Sequence, residues 1–198
     1  FFSYMKKYNT KLFMYSVKGA CLMTRKNLIA KIGLFDPEYF AYFEETDFCH
    51  RVWLSGFAVV YLPTSEIFHL GGATFKGTTP PQIQFNSYKN RIMTYLKNLG
   101  TKELLTILPI HILTCLGVAV LYGLLGKFVI TKEILKAFWW NLRHLKKIVK
   151  KRKTIQEHIR RDPDSQLINK IKHNAPFSYY KHFLFDPRGE YKDVALKF

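Results

Sequence analysis

The chain has 198 residues, 48% of them hydrophobic, and carries 31 Lys+Arg against 14 Asp+Glu for a formal charge of +17. That is enough for one domain with a buried core plus an appendage. Cys21, Cys49 and Cys115 have the spacing of neither a disulfide framework nor a zinc site, so reduced thiols in a cytosolic compartment are the simpler reading. The excess charge is uneven: 12 basic against 6 acidic side chains in residues 1–100, and 19 against 8 in 101–198. Such a basic second half suits an anionic partner, either nucleic acid or an acidic membrane surface.

In chain order, 17-VKGACLMTRKNLIAKIGLFD-36 predicts a short strand and then a helix, with Thr24 as N-cap and Gly33 as stop. An aromatic loop with an Asp-Pro turn follows over 35–43, then a short helix over 46–55 ended by Gly56. Residues 57-FAVVYL-62 predict a strand stopped by Pro63. The Gly-, Pro- and Thr-rich stretch 70–82 predicts a mobile loop, and 83–99 returns to helical spacing before Gly100. Residues 104–126 then run 23 positions without a Lys, Arg, Asp or Glu, long enough to span a bilayer as a helix. Pro109, His111 and three glycines in that run also suit a bent or re-entrant segment. Residues 127–156 are amphipathic, with Phe138, Trp139 and Trp140 at headgroup level and a basic cluster after them.

The stretch 42-YFEETDFCHR-51 holds three acids within four positions, between aromatic side chains. Desolvation by the aromatics raises a carboxyl pKa, a helix N-terminus lowers it, and repulsion between the acids raises at least one of them. Such a group can keep one acid poised as a general base. Asp47 and Arg51 stand at i, i+4 and are expected to pair on the helix surface, which leaves Glu44 and Glu45 as the freer acids. The plainer alternative is an acidic helix start with a surface ion pair, and His69 read alone is equally well structural.

Four blocks occur in order with tight spacing: 19-GACLMTRK-26, 33-GLFDPEYFAYFEETDFCHR-51, 56-GFAVVYLP-63 and 69-HLGG-72. Together they resemble the acceptor-side half of family 2 glycosyltransferases, the inverting GT-A type, in its rhamnosyl- and galactofuranosyl-transferase-like branch. The resemblance covers about residues 15–100 and implies an α/β fold. Residues 1–100 are then the C-terminal half of a GT-A domain, 101–156 a membrane-associated helical region and 157–198 a cytosolic tail. Gly19 and Ala20 match a small-residue pair that lets backbone approach the sugar or diphosphate, and Asp36 matches the acid of a Gly-Phe-Asp turn. With Arg51 these are the expected substrate-binding positions. Glu44-Glu45-Thr46-Asp47 matches the Glu-Asp-x-Asp block, whose second acid is the base, so Glu45 stands where an Asp is usual. Glu44 and Asp47 complete the expected catalytic set. His69 matches a His that helps hold Mg²⁺ or Mn²⁺ on the donor diphosphate. Asn90 and Arg91 match a helix after the mobile loop and are read as structural or phosphate-facing.

The resemblance implies a nucleotide-sugar donor, a glycan or lipid-linked acceptor, and a place on the cytoplasmic face of the cell membrane. The Asp-x-Asp motif of the nucleotide-binding half is missing, since Asp162-Pro163-Asp164 matches only by letter; the chain therefore reads as the C-terminal portion of a longer enzyme. Nine Lys/Arg against one Glu in 143–161 prefer the cytosolic side. Both flanks of the apolar run then want the same side, which favours monotopic or re-entrant attachment to an anionic surface. The alternative function is a non-catalytic membrane adaptor with a degenerate transferase-like domain. A nucleic-acid partner is not expected, because the basic residues follow an apolar run and a Trp pair and no nucleic-acid motif is present.

Overall fold

The computed structural model describes residues 10–68 and 80–171. His69 and most of the Gly-rich stretch lie outside them, as does the tail from 172. The elements in chain order are β1 (Leu12–Phe13), α1 (Lys26–Ile32), α2 (Glu44–Leu54), β2 (Val60–Tyr61), α3 (Pro80–Asn98), α4 (Thr101–Leu124), α5 (Phe128–Arg143), α6 (Leu145–Thr154), a π-helical turn (Ile155–Ile159) and α7 (Asp164–Ile171). β1 and β2 pair antiparallel, with Leu12 opposite Tyr61 and Phe13 opposite Val60. The described residues are therefore mostly helical, with one two-stranded sheet.

Several expected boundaries move. The strand expected near 17 is a 3₁₀ turn over Gly19–Cys21. Arg25, not Thr24, is the N-cap of α1, while Gly33 ends it as expected. Gly33 sits at φ 78°, in the left-handed region that costs a Cβ-bearing residue energy. α2 begins two residues earlier than its hydrophobic spacing predicts. α3 begins at Pro80, where prolines suit a first turn because their missing N–H would have no partner there. The strand expected over 57–62 shrinks to two residues.

The main core surrounds α2. Phe48, Cys49, Val52, Trp53 and Leu54 are buried against Ile32 and Val59, and against Ile155, Ile159 and Leu167 from the far end of the chain. The other face of α2 meets α3 through polar residues: Asp47, Asn90, Thr94, Lys97 and Asn98 are at most 2% exposed. α3 also packs on α4 and α5.

The C-terminal end of α3 leaves backbone carbonyls with no partner inside the helix. Residues far downstream supply the donors. Arg152 donates to Leu96 O and Leu99 O at 2.9 and 2.6 Å, and Gln156 donates to Lys97 O and Asn98 O at 3.2 and 3.1 Å. Arg160 donates to Asn98 O, and Asp164 accepts from the Gly100 N–H at 2.5 Å. A Cβ at position 100 would lie 2.8 Å from the carboxylates of Asp164 and Glu103, so a side chain there would push them aside.

α4 runs unbroken through Pro109, so the fold-back expected at that proline is not formed. Gly126, at φ 72°, turns the chain into α5, which returns alongside α4 with Thr131 Oγ1 donating to Ala119 O at 2.9 Å.

Candidate functional site

The acids of α2 divide into two environments. Asp47 is fully buried. Its Oδ1 accepts from Tyr39 OH at 3.0 Å and Asn98 Nδ2 at 2.9 Å and lies 3.0 Å from Lys97 Nζ; its Oδ2 accepts from Arg51 Nε at 3.0 Å. Burial opposes its ionisation, but Lys97 and Arg51 outweigh that, so its pKa lies below the usual carboxylate value. The expected Asp47–Arg51 pair is formed, but in the interior rather than on a helix surface.

The same network absorbs Asp36 and Arg51. Lys97 Nζ reaches Asp36 Oδ2 at 2.7 Å, and Lys151 Nζ reaches Oδ1 at 2.6 Å. Burial pushes the Asp36 carboxyl up, but these lysines bring it down to about 2. Arg51 donates to Ile32 O, Gly33 O and Leu34 O at 2.6, 3.1 and 2.8 Å, capping α1 from the side. Asp36, Asp47 and Arg51 thus tie α1, α2, α3 and α6 together.

Glu44 and Glu45 are half-buried, and one oxygen of each, Oε2, is enclosed with no hydrogen-bond partner. Burial pushes the Glu44 carboxyl pKa up; its backbone N–H opposes this and the neighbouring Glu45 charge adds to it. Gly19 lies against this turn: a Cβ built on it would be 3.7 Å from Glu45 Cβ. Gly19 and Ala20 are exposed, so the wall beside Glu45 is bare backbone open to solvent. The structure brings together Gly19 and Glu45, with Ala20 and Glu44 their chain neighbours. His69 is outside the described residues, among which no three His, Cys, Asp or Glu side chains converge on a possible metal position.

The loop that presents these acids is held in costly geometry. Phe40, Tyr42 and Phe43 all have positive φ, at 58°, 68° and 68°. Phe40, with ψ −63°, is the centre of a γ-turn in which the Ala41 N–H donates to Tyr39 O at 2.6 Å. Asn90 holds the loop: its Nδ2 donates to the carbonyls of Tyr39, Ala41 and Tyr42 at 3.0, 2.8 and 2.6 Å. Arg91 lies over the Phe43 ring, 4.9 Å from its centroid.

Sequence reasoning missed Lys97, Asn98 and Thr94. The signal was available: Asn90, Thr94 and Asn98 stand at i, i+4 and i+8, a polar stripe on one helix face. It also missed His50, which is buried with Nδ1 3.0 Å from Tyr15 OH and Nε2 3.7 Å from Asp164 Oδ1.

Among curated proteins, the chain is similar to N-acetylglucosaminyl-diphospho-decaprenol L-rhamnosyltransferase from two strains of Mycobacterium tuberculosis, 36% identical over 53 residues in each case. The match covers 27% of this chain and 17% of the relative, so the chain spans about a sixth of the relative's length. No family model and no solved structure matches. Over that segment the chain is related to a glycosyltransferase.

Proposed function

We propose that this chain is the acceptor-side part of a membrane-associated inverting glycosyltransferase, which moves a sugar from a nucleotide-sugar to a glycan or lipid-linked acceptor. The observation that carries the reading is the pair of enclosed, unpartnered Glu44 and Glu45 oxygens beside the exposed Gly19–Ala20 turn. A buried carboxylate oxygen without a donor is costly and calls for a partner; an acceptor hydroxyl is such a partner. The partial likeness to the mycobacterial rhamnosyltransferases supports the same class of reaction.

In this reading Glu45 takes the proton from the acceptor hydroxyl. That oxygen forms a bond to the anomeric carbon while the bond from that carbon to the nucleotide diphosphate breaks, and attack from the opposite face inverts configuration. Asp47 has no open face; it positions α2, and Asp36 and Arg51 position the loop and α1. The described residues supply no donor set for Mg²⁺ or Mn²⁺, so no step is assigned through the ion, and His69 remains a proposed ligand.

The test is Glu45→Gln in the intact protein, with transfer from a panel of nucleotide-sugars to polyprenyl-diphosphate-linked acceptors read by mass spectrometry. Loss of the base should lower the rate about 10²- to 10⁴-fold, with the urea midpoint little changed. Near-normal transfer by the variant would overturn the assignment. Absence of donor turnover by the wild type, with membrane binding retained, would favour the adaptor reading, which the exposed apolar and basic surface of α4–α6 also suits.

A further inference from the structure

The outward side of α4 carries Leu105, Ile110, Leu113, Val120 and Leu124, between 61% and 81% exposed, while Cys115 and Ala119 on the opposite side are buried. At 24 residues the helix is about 36 Å long, more than the roughly 30 Å of a hydrocarbon core. Length alone would allow a crossing, but the neighbours of α4 do not. α3 lies antiparallel along its inner side, with the Tyr95 and His111 rings 5.1 Å apart. α5 returns along it through the Thr131–Ala119 bond. Arg91 of α3 lies close to His111 and Cys115 at the middle of α4, and Lys132 and Lys136 sit on the first turns of α5 where it packs back on α4, so these charges lie beside α4 rather than beyond its ends. An α4 set across a bilayer would carry these charges into the hydrocarbon, where they are strongly disfavoured.

A helix lying flat does not meet this conflict. On α5, which packs on α4, and on α6 after it, the exposed residues interleave apolar and basic types: Leu135, Trp139, Leu142 and Val149 with Lys136, Lys146 and Lys150. Apolar side chains reach the acyl boundary, and lysines at the same level meet anionic headgroups. We propose that α4 and α5 lie in the plane of one leaflet of an anionic bilayer, with the Leu105–Leu124 stripe in the acyl boundary and no crossing. This deepens the membrane attachment proposed above and is independent of the sugar-transfer chemistry.

The experiment adds the full-length protein to sealed phosphatidylcholine vesicles with and without phosphatidylglycerol. With Cys21, Cys49 and Cys115 each replaced by alanine, single cysteines are introduced by Lys102→Cys, Leu113→Cys and Lys127→Cys, and labelled with a membrane-impermeant maleimide. The expected result is flotation that needs phosphatidylglycerol and weakens with salt, both end positions labelled from outside, and position 113 protected. Leu113→Asp with Val120→Asp, at positions already exposed, should weaken flotation at least tenfold without changing the circular dichroism spectrum. Labelling of one end only until detergent is added would mean a crossing and overturn the proposal. Failure to float with either vesicle, or dimerisation in solution in place of flotation, would overturn it equally. None of these readouts involves sugar transfer, so failure of the catalytic reading would leave them unchanged.

Discussion

Glu44 and Asp47 are three residues apart on one helix, yet they differ in nearly every physical respect. Asp47 is sealed from solvent and every direction around its carboxylate is taken by Tyr39, Asn98, Lys97 or Arg51. Glu44 and Glu45 are half open, and each keeps one enclosed oxygen with no donor. A sealed carboxylate with both oxygens engaged can organise a fold but is out of reach of a substrate proton. An enclosed oxygen without a donor contributes little to the fold and is available for chemistry. Spacing alone therefore does not separate the acids of this cluster; the number of donors around each oxygen does, and it is the basis on which Glu45 rather than Asp47 is proposed as the base.

The sharpest way to break this comparison is Asp47→Ala. It strands the buried Lys97 and Arg51 charges and should destabilise the protein by about 3–5 kcal/mol, read from the urea midpoint, whereas Glu45→Gln should hardly move that midpoint. Equal effects from the two variants would erase the distinction. Asn90→Ala is the next largest. It removes the donors to three loop carbonyls and should cost about 1–3 kcal/mol, with transfer falling further than stability alone predicts because the loop carries Glu44 and Glu45.

A smaller effect concerns acid. The folded Asp36 carboxyl is held at about 2, below its ordinary 3.8, by Lys97 and Lys151 against the opposing pull of burial. The stability it contributes is complete above the ordinary value and is lost as pH falls from about 4 through 2. Asp164, also lowered to about 2, titrates in the same window: burial pushes it up, but His50, the Gly100 N–H and Arg160 outweigh that. Asp36→Asn should therefore flatten part, not all, of the stability loss in an acid titration followed by circular dichroism. The smallest expected effect is Phe40→Gly. Phe40 is 81% exposed and sits at the centre of the γ-turn, so glycine should relieve strain and raise stability by about 1 kcal/mol. A loss instead would mean that the Phe40 ring makes contacts that matter more than its backbone.

Helix positions were largely legible in the sequence, because the i, i+4 spacing of Phe48 and Val52 and the stops at Gly33 and Gly56 are local signals. Gly19, Ala20, Glu44 and Glu45 were grouped in the sequence by their resemblance to known motifs, and in the structure Gly19 lies against Glu45. The partners of Asp47 were not, because Lys97 and Asn98 lie some fifty positions away and only packing joins them. Arg51 was misplaced for a related reason. Its spacing from Asp47 predicts an ion pair but is blind to depth, and the carbonyls that draw it inward end a different helix. The short strands were overestimated because Phe57–Leu62 has strand composition but finds only two residues of β1 to pair with.

The cap on α3 has a consequence for the order in which the molecule is made. Its donors, Arg152, Gln156 and Arg160, follow the carbonyls they satisfy by more than fifty positions, and α4 and α5 lie between. A ribosome releases the apolar helices before it releases their clasp. If α4 and α5 lie on a lipid surface as proposed, the nascent chain can place them there while the end of α3 is still open. Lys151, which fixes Asp36, arrives with the same late segment, so the cap on α3 and the clamp on Asp36 close together, after α4 and α5 have been made.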